Sequence, residues 1–389
     1  MAEIAEWDFP VLKFGTEEKE CIVIQGGMGV GVSKNRLVSA VANEGAIGVI
    51  AAVGLDVLRD WEQTRESGAM ALKEEIKLTR SMMIKGKDCL GVNIMYALSN
   101  YKDLVRASLE EEVDVIFLGA GVSRNLPRYA IEIGNTHTKL VPIVSSARLA
   151  KIVCEDWGDR YGRLPDAIVL EGPKAGGHLG FHRYNPKKPL LTDNLDNPDF
   201  VSHGLERLIP EVVEAVKPFE TERKIPIIVA GGIFYGGDIK KVRDLGAAGV
   251  QMATRFVTTY ECDASKEFKQ AYLDCKKEDI VVTDSPVGMP IRVIKNKFID
   301  KAIDEVIAGT RKPIDFCPYQ CLKTCNPKNP AKSPYCIARA LVAAQTGDFD
   351  NGFACAGLNA DLCGADGMKS VHELFKRLKQ EYKEGKRRD

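Results

Sequence analysis

The chain has 389 residues, 45% of them apolar, and its 54 basic residues balance 54 acidic ones. That length suffices for one large domain, or one extended by a smaller part, and the balanced charge gives no electrostatic case for nucleic acid or a membrane surface. No apolar run approaches a membrane span, Met1–Phe14 has no apolar signal-peptide core, and the eleven cysteines suit a reduced, cytoplasmic setting in which they are core residues, reactive thiols or metal ligands.

Short apolar runs recur along the chain, each followed by a helical pattern. Strands are expected at Cys21–Ile24, Ile47–Ala51, Leu90–Met95, Val113–Leu118, Leu140–Val144, Ala167–Leu170, Ile225–Val229 and Gly249–Ala253. These runs are continuous rather than alternating, as in a parallel sheet buried on both faces. Amphipathic segments at Asn35–Glu44, Glu74–Ile84, Ser146–Trp157, Leu205–Val216 and Asp238–Leu245 lie between them. Eight βα units over about 250 residues fit an α/β fold, the (β/α)8 TIM barrel. An open doubly wound sheet would carry a dinucleotide loop after its first strand. The turn here, Gln25-Gly-Gly-Met-Gly-Val-Gly31, lacks that spaced fingerprint. The barrel is expected over residues 1–298, with a long loop at about 178–204. Residues 299–389 form a helical, cysteine-rich C-terminal extension.

In such a barrel, chemistry gathers where the C-terminal strand ends meet. Those ends are Gln25–Met28, Asn93, Gly119–Gly121, Ser145, Glu171, Ala230–Ile233 and Ala253–Arg255. Glu171 opens the run Glu-Gly-Pro-Lys-Ala-Gly-Gly-His-Leu-Gly180. Its glycines let backbone approach a flat or charged ligand, and His178 brings a titratable group to the same place. The ends after strands seven and eight occupy the usual phosphate position of such barrels, where backbone N–H groups and Thr254 can hold a phosphate. Any one glycine pair reads as a tight turn; several at one mouth favour a phosphorylated cofactor. The connection from His178 to about His203 carries Pro186, Pro189 and Pro198, a length typical of lids and binding loops. Lys187 and Lys188 within it suit an anionic substrate, or are an exposed charge pair. His137, His182, His203 and His372 read as surface or loop residues.

Residues 317–363 hold six cysteines, and Cys317, Cys321, Cys325 and Cys336 follow the spacing C-x3-C-x3-C-x10-C. The residues between them are polar and proline-rich, unlike the neighbours of core cysteines. Four thiolates drawn together suit an iron–sulfur cluster or zinc. The spacing matches no common zinc pattern, and ligand number and softness place [4Fe–4S] ahead of zinc. The other reading is a set of reduced thiols in a helical cap. Cys21, Cys89, Cys154, Cys262 and Cys275 are scattered and read as core or surface residues.

Ile24–Met28, Gly91–Met95, Glu171–Gly180, Ala230–Ile233, Val250–Phe256 and Gly288–Asn296 occur in matching order in one flavoprotein superfamily. About residues 20–300 resemble the nitronate monooxygenases (2-nitropropane dioxygenases) and the FMN-dependent enoyl-ACP reductases. The resemblance implies FMN held by Gly26, Gly27, Met28, Asn93, Glu171, Gly176, Gly177, Gly231, Gly232, Gln251, Met252, Ala253 and Thr254, with His178 as the active-site histidine. Glu171 stands where an amide is more usual, Pro173-Lys174 where an acidic residue is, and Ala253 where glycine is common. The resemblance implies oxidation of nitronates or nitroalkanes through the flavin. The alternatives are an NAD(P)H-dependent enoyl thioester reductase, with acyl carrier protein or CoA thioesters as partners, and a non-catalytic flavin-binding barrel. A cluster near the flavin would favour the reductase. Apolar outer helix faces leave a homo-oligomer open.

Overall fold

The structure is a computed structural model that describes residues 12–14, 17–19, 23–59, 65–86, 89–181, 204–314, 317 and 319–387. Cys21, His182, His203, Lys187, Lys188 and the three prolines of the long loop lie outside the described residues.

Eight strands form one parallel barrel: β1 (Val23–Gln25), β2 (Gly48–Ala51), β3 (Leu90–Met95), β4 (Val115–Gly119), β5 (Lys139–Val144), β6 (Ile168–Glu171), β7 (Ile227–Ala230) and β8 (Gly249–Met252). From β2 to β8 each strand pairs with the next in chain order, and β8 pairs with β1. A parallel bridge between Ile24 and Ile47 closes the ring. Each expected strand falls on an observed one, shifted by a residue or two at its ends. The continuous apolar runs are the reason: Ile116, Phe117, Val169, Leu170, Ile228 and Val229 are all fully buried between barrel interior and outer helices.

Helices Asn35–Asn43, Ala147–Tyr161, Leu205–Val216 and Gly236–Asp244 lie where the amphipathic pattern puts them. The Ser146 hydroxyl caps one, accepting the Leu149 N–H at 3.3 Å. The helix expected at Glu74–Ile84 instead runs over Arg65–Ser81. Its first turns contain Gly68, a poor helix former that is kept because a Cβ there would meet the Asn100 amide at 2.6 Å. Two further outer helices, Tyr101–Glu110 and Leu126–Ile133, complete the wall.

A three-stranded antiparallel sheet sits beside the barrel, in the order Ile280–Asp284, Pro290–Ile294, Gly177–His178. It pairs His178 with Ile291 and Gly177 with Arg292. The C-terminal residues pack onto this frame. Helix Val371–Glu384 lies against Gly236–Asp244, and Arg255, 1% exposed, ion-pairs with Asp366 and Glu381 beneath it. Among the described residues no helix is long and apolar enough to cross a membrane.

Candidate active site

The C-terminal ends of the barrel strands open into a cavity of about 490 Å³. It is lined by Gly26, Gly27, Met28, Asn93, Glu171, Gly176, Gly177, His178, Gln251, Ala253 and Thr254. Eleven positions singled out in the sequence thus converge on one space. Gly231, Gly232 and Met252 do not line it. Met252 is buried. Gly231 and Gly232 both sit at φ +91° in the turn after β7, a backbone that demands glycine.

His178 is half-buried, and its Nε2 lies 2.8 Å from the Ser285 hydroxyl. Ser285 also accepts the Val287 N–H at 3.2 Å, which fixes the hydroxyl from a second side. Nδ1 of His178 has no protein partner among the described residues. Burial drives the ring's pKa down to about 4, so at neutral pH it is an uncharged imidazole.

Glu171 ends β6. Burial raises its pKa to about 7, against the lowering pull of the Arg292 charge. Arg292 is 3% exposed, and burial lowers its pKa to about 10 while Glu171 opposes that. Its Nη1 donates to the carbonyls of Pro173, at 2.8 Å, and Ala175. It thereby fixes the turn between Glu171 and His178. Its Nε has no partner among the described residues.

The sign of the Glu171 shift has a consequence for stability. Its folded pKa of about 7 lies above the ordinary 4.5. Its contribution is full below 4.5 and lost as pH rises through 7. Glu171→Gln is therefore expected to stabilise the cofactor-free protein at pH 8 by about 1–3 kcal/mol. The gain should shrink toward pH 4.5. Urea unfolding at both pH values measures it, and an equal gain at both would contradict the assignment.

The cavity has features of a cofactor cradle. Gln251 Oε1 is buried without a partner among the described residues and lines the space. A Cβ on Gly27 would lie 2.5 Å from that of Asn93. The Thr254 hydroxyl accepts the Gly357 N–H at 3.2 Å. Gly176 packs so closely on Ala356 and Gly357 that a Cβ would approach that backbone to 2.5 Å. Cys355, Gly357, Tyr272 and Phe268 also line the cavity. Sequence reasoning assigned them no role, because nothing local links residue 357 to residues 176 and 254.

Cys317, Cys321, Cys325 and Cys336 line a second cavity of about 290 Å³. Burial raises the Cys321 thiol to about 12, and the other three thiols add to the rise. Among the described residues no three side chains converge closely enough to hold a single metal ion. The two cavities share a wall made of Gln320, Cys321, Leu322 and Ile337. The cysteine segment is docked on the barrel loop after β3. Ser99 N–H donates to the Cys321 carbonyl at 3.0 Å, Lys323 N–H donates to the Ala97 carbonyl at 3.0 Å, and Leu98 bridges Leu322. Cys89, Cys154, Cys262 and Cys275 are buried core residues. His137 and His372 lie at the surface, paired with Asp114 and Glu44.

A closed eight-stranded barrel with polar groups and glycine turns gathered at its C-terminal mouth defines a (β/α)8-barrel enzyme. The family model for nitronate monooxygenase matches residues 13–381. The chain belongs to that family and is an oxidoreductase. It is 30% identical over 72% of its length to "(3aS,4S,5R,7aS)-5-hydroxy-7a-methyl-1-oxo-octahydro-1H-indene-4-carboxyl-CoA dehydrogenase" of Mycobacterium tuberculosis, and spans 64% of that protein. It is 26% identical to a probable nitronate monooxygenase of Staphylococcus aureus, over 72% of this chain and 76% of the relative. The solved structure of FabK from Thermotoga maritima superposes with a TM-score of 0.69 at 26% identity, covering 94% of this chain and 93% of that one.

Proposed function

We propose that the protein is an FMN-dependent oxidoreductase of acyl thioesters, with a [4Fe–4S] cluster on Cys317, Cys321, Cys325 and Cys336 as its second electron centre. The observation that carries this reading is the wall shared by the mouth cavity and the thiol-lined cavity. A nitronate monooxygenase passing electrons to oxygen has no use for a neighbouring cluster. An enzyme that must collect or deliver electrons one at a time does. The thioester is supported by the dehydrogenase relative, which is named for a carboxyl-CoA.

A cluster would take its four thiolates from the cysteines about the second cavity, although among the described residues no three ligating side chains are grouped so as to hold a metal ion. Bound FMN would supply the two-electron chemistry at the α,β-carbons of the thioester. Gly26, Gly27 and Asn93 would receive its ring, and Gln251 would satisfy its orphaned amide oxygen on it. Ala253 and Thr254 would hold the phosphate, with Gly357 packed against the Thr254 hydroxyl. Uncharged His178 would hydrogen-bond the substrate beside the reacting carbons through Nδ1 while Ser285 holds Nε2.

Nitronate oxidation is the second reading, favoured by the names of the staphylococcal relatives. Anaerobic spectroscopy separates the two. Flavin reduced with dithionite should be reoxidised by a trans-2-enoyl N-acetylcysteamine thioester. Wild-type protein should carry a broad absorbance beneath the flavin bands that Cys321→Ser removes. Flavin that is reduced by a nitronate and ignores thioesters would overturn the proposal.

A further inference from the structure

His178 is held twice by one hairpin. Strand Pro290–Ile294 pairs with its backbone through Ile291, and the Leu179 N–H donates to the Pro290 carbonyl at 2.8 Å. The ring is held from the turn of the same hairpin, where Ser285 is buried with its hydroxyl 2.8 Å from Nε2. Strand pairing stops at Asp284 and Pro290. Beyond it, the Gly288 N–H donates to the Ser285 carbonyl at 2.8 Å, with Gly288 at φ +83°. Such a turn can tilt unless something outside the hairpin holds it. A tilt would carry the Ser285 hydroxyl along and turn the imidazole, which has no stiff preference of its own about χ2.

Two side chains of the cysteine segment supply that hold. The Thr324 hydroxyl donates to the Val287 carbonyl at 2.9 Å, with the Pro286 carbonyl at 3.4 Å. The Tyr335 hydroxyl donates to the Asp284 carbonyl at 3.1 Å. Tyr335 is buried, and its ring meets Phe298 and Phe353 edge-on at centroid distances of 5.7 and 5.3 Å, which gives the hydroxyl a rigid base. We propose that Thr324 and Tyr335 are positioning residues for His178, acting through the backbone carbonyls on either side of Ser285. Thr324 adjoins Cys325 and Tyr335 adjoins Cys336. The segment that walls the second cavity thus also sets the angle of the histidine in the first. The part His178 plays in turnover rests on the function proposed above; its orientation by the turn does not.

Thr324→Val keeps the side-chain shape and removes the hydroxyl. In holoenzyme carrying isotope-labelled histidine, the ring-nitrogen resonances of His178 are assigned by their loss in His178→Ala. They should shift or broaden in Thr324→Val and in Tyr335→Phe, and return in Thr324→Ser. Reoxidation of dithionite-reduced flavin by a saturating trans-2-enoyl N-acetylcysteamine thioester should slow about tenfold in Thr324→Val, while the half-saturating concentration changes by less than about twofold, as for a reacting group slightly misplaced. In a His178→Ala background the same substitution should cost nothing more. A nitronate, run in parallel as reductant of the oxidised flavin, separates the two readings. Reaction with the nitronate alone would sink the thioester reading, and the same variants would then be compared with the nitronate. Unmoved His178 resonances in both variants, or a rate loss that persists in full in His178→Ala, would overturn the positioning role.

Discussion

Replacing His178 by alanine should lower turnover by about two to four orders of magnitude and leave the flavin content of the purified protein unchanged. The imidazole reaches the cavity from a strand edge, and Ser285 holds it at a fixed angle. Alanine keeps the backbone pairing with Ile291, so the cradle stays intact. Because burial holds the ring near pKa 4, the wild-type profile should show no limb near 6.5 from this group. A limb near 7 is expected from Glu171 and should vanish in Glu171→Gln. Stability follows the opposite sign to Glu171: the His178 contribution is full above 6.5 and lost as pH falls toward 4. Steady-state rates from pH 5 to 9, with flavin quantified after denaturation, decide the matter. Unchanged turnover in His178→Ala would remove the histidine from the chemistry.

The second large effect concerns Arg255. Its Nε and Nη2 both donate to Asp366, its Nη1 and Nη2 to Glu381, and Nη1 also to the Phe234 carbonyl, all within 3.0 Å. Arg255→Leu strips two buried carboxylates of their main partner. Lys369 and Arg377 remain beside Asp366, and Arg377 remains beside Glu381. Breaking a buried pair of this kind costs about 3–5 kcal/mol. Denaturant unfolding should show that loss. The triple replacement Arg255→Leu, Asp366→Leu and Glu381→Leu should recover only part of it, since Lys369 and Arg377 then lose their carboxylate partners. A loss below about 1 kcal/mol for the single variant would show that the network is solvated.

The barrel was legible because each strand is buried on both faces and so leaves an uninterrupted apolar run. Its mouth was legible because strand ends are fixed once the strands are. Eleven of the chosen positions line one cavity for that reason. The antiparallel sheet was not legible. Gly177–His178 is too short to carry a period, and Pro290–Ile294 was recognisable only as part of a family motif. The Arg292 carbonyl contacts and the Ser285–His178 bond join residues more than a hundred positions apart. Cys355 and Gly357 reach the cavity by the same kind of long-range closure. Local pattern reports burial and turn chemistry, and it is silent on which distant loop completes a wall.

That closure has a consequence for biosynthesis. Translation proceeds from the N-terminus, and domains generally fold as their residues emerge. All eight barrel strands have left the ribosome by Met252. The backbone that covers Gly176 and meets Thr254 arrives only with Ala356 and Gly357, and the thiols of the second cavity only with Cys336. A nascent barrel thus presents an open, half-walled cup. The proposed flavin would then be captured late, about a hundred residues after the last barrel strand has been made, which leaves the growing chain dependent on its own strand pairing in the meantime.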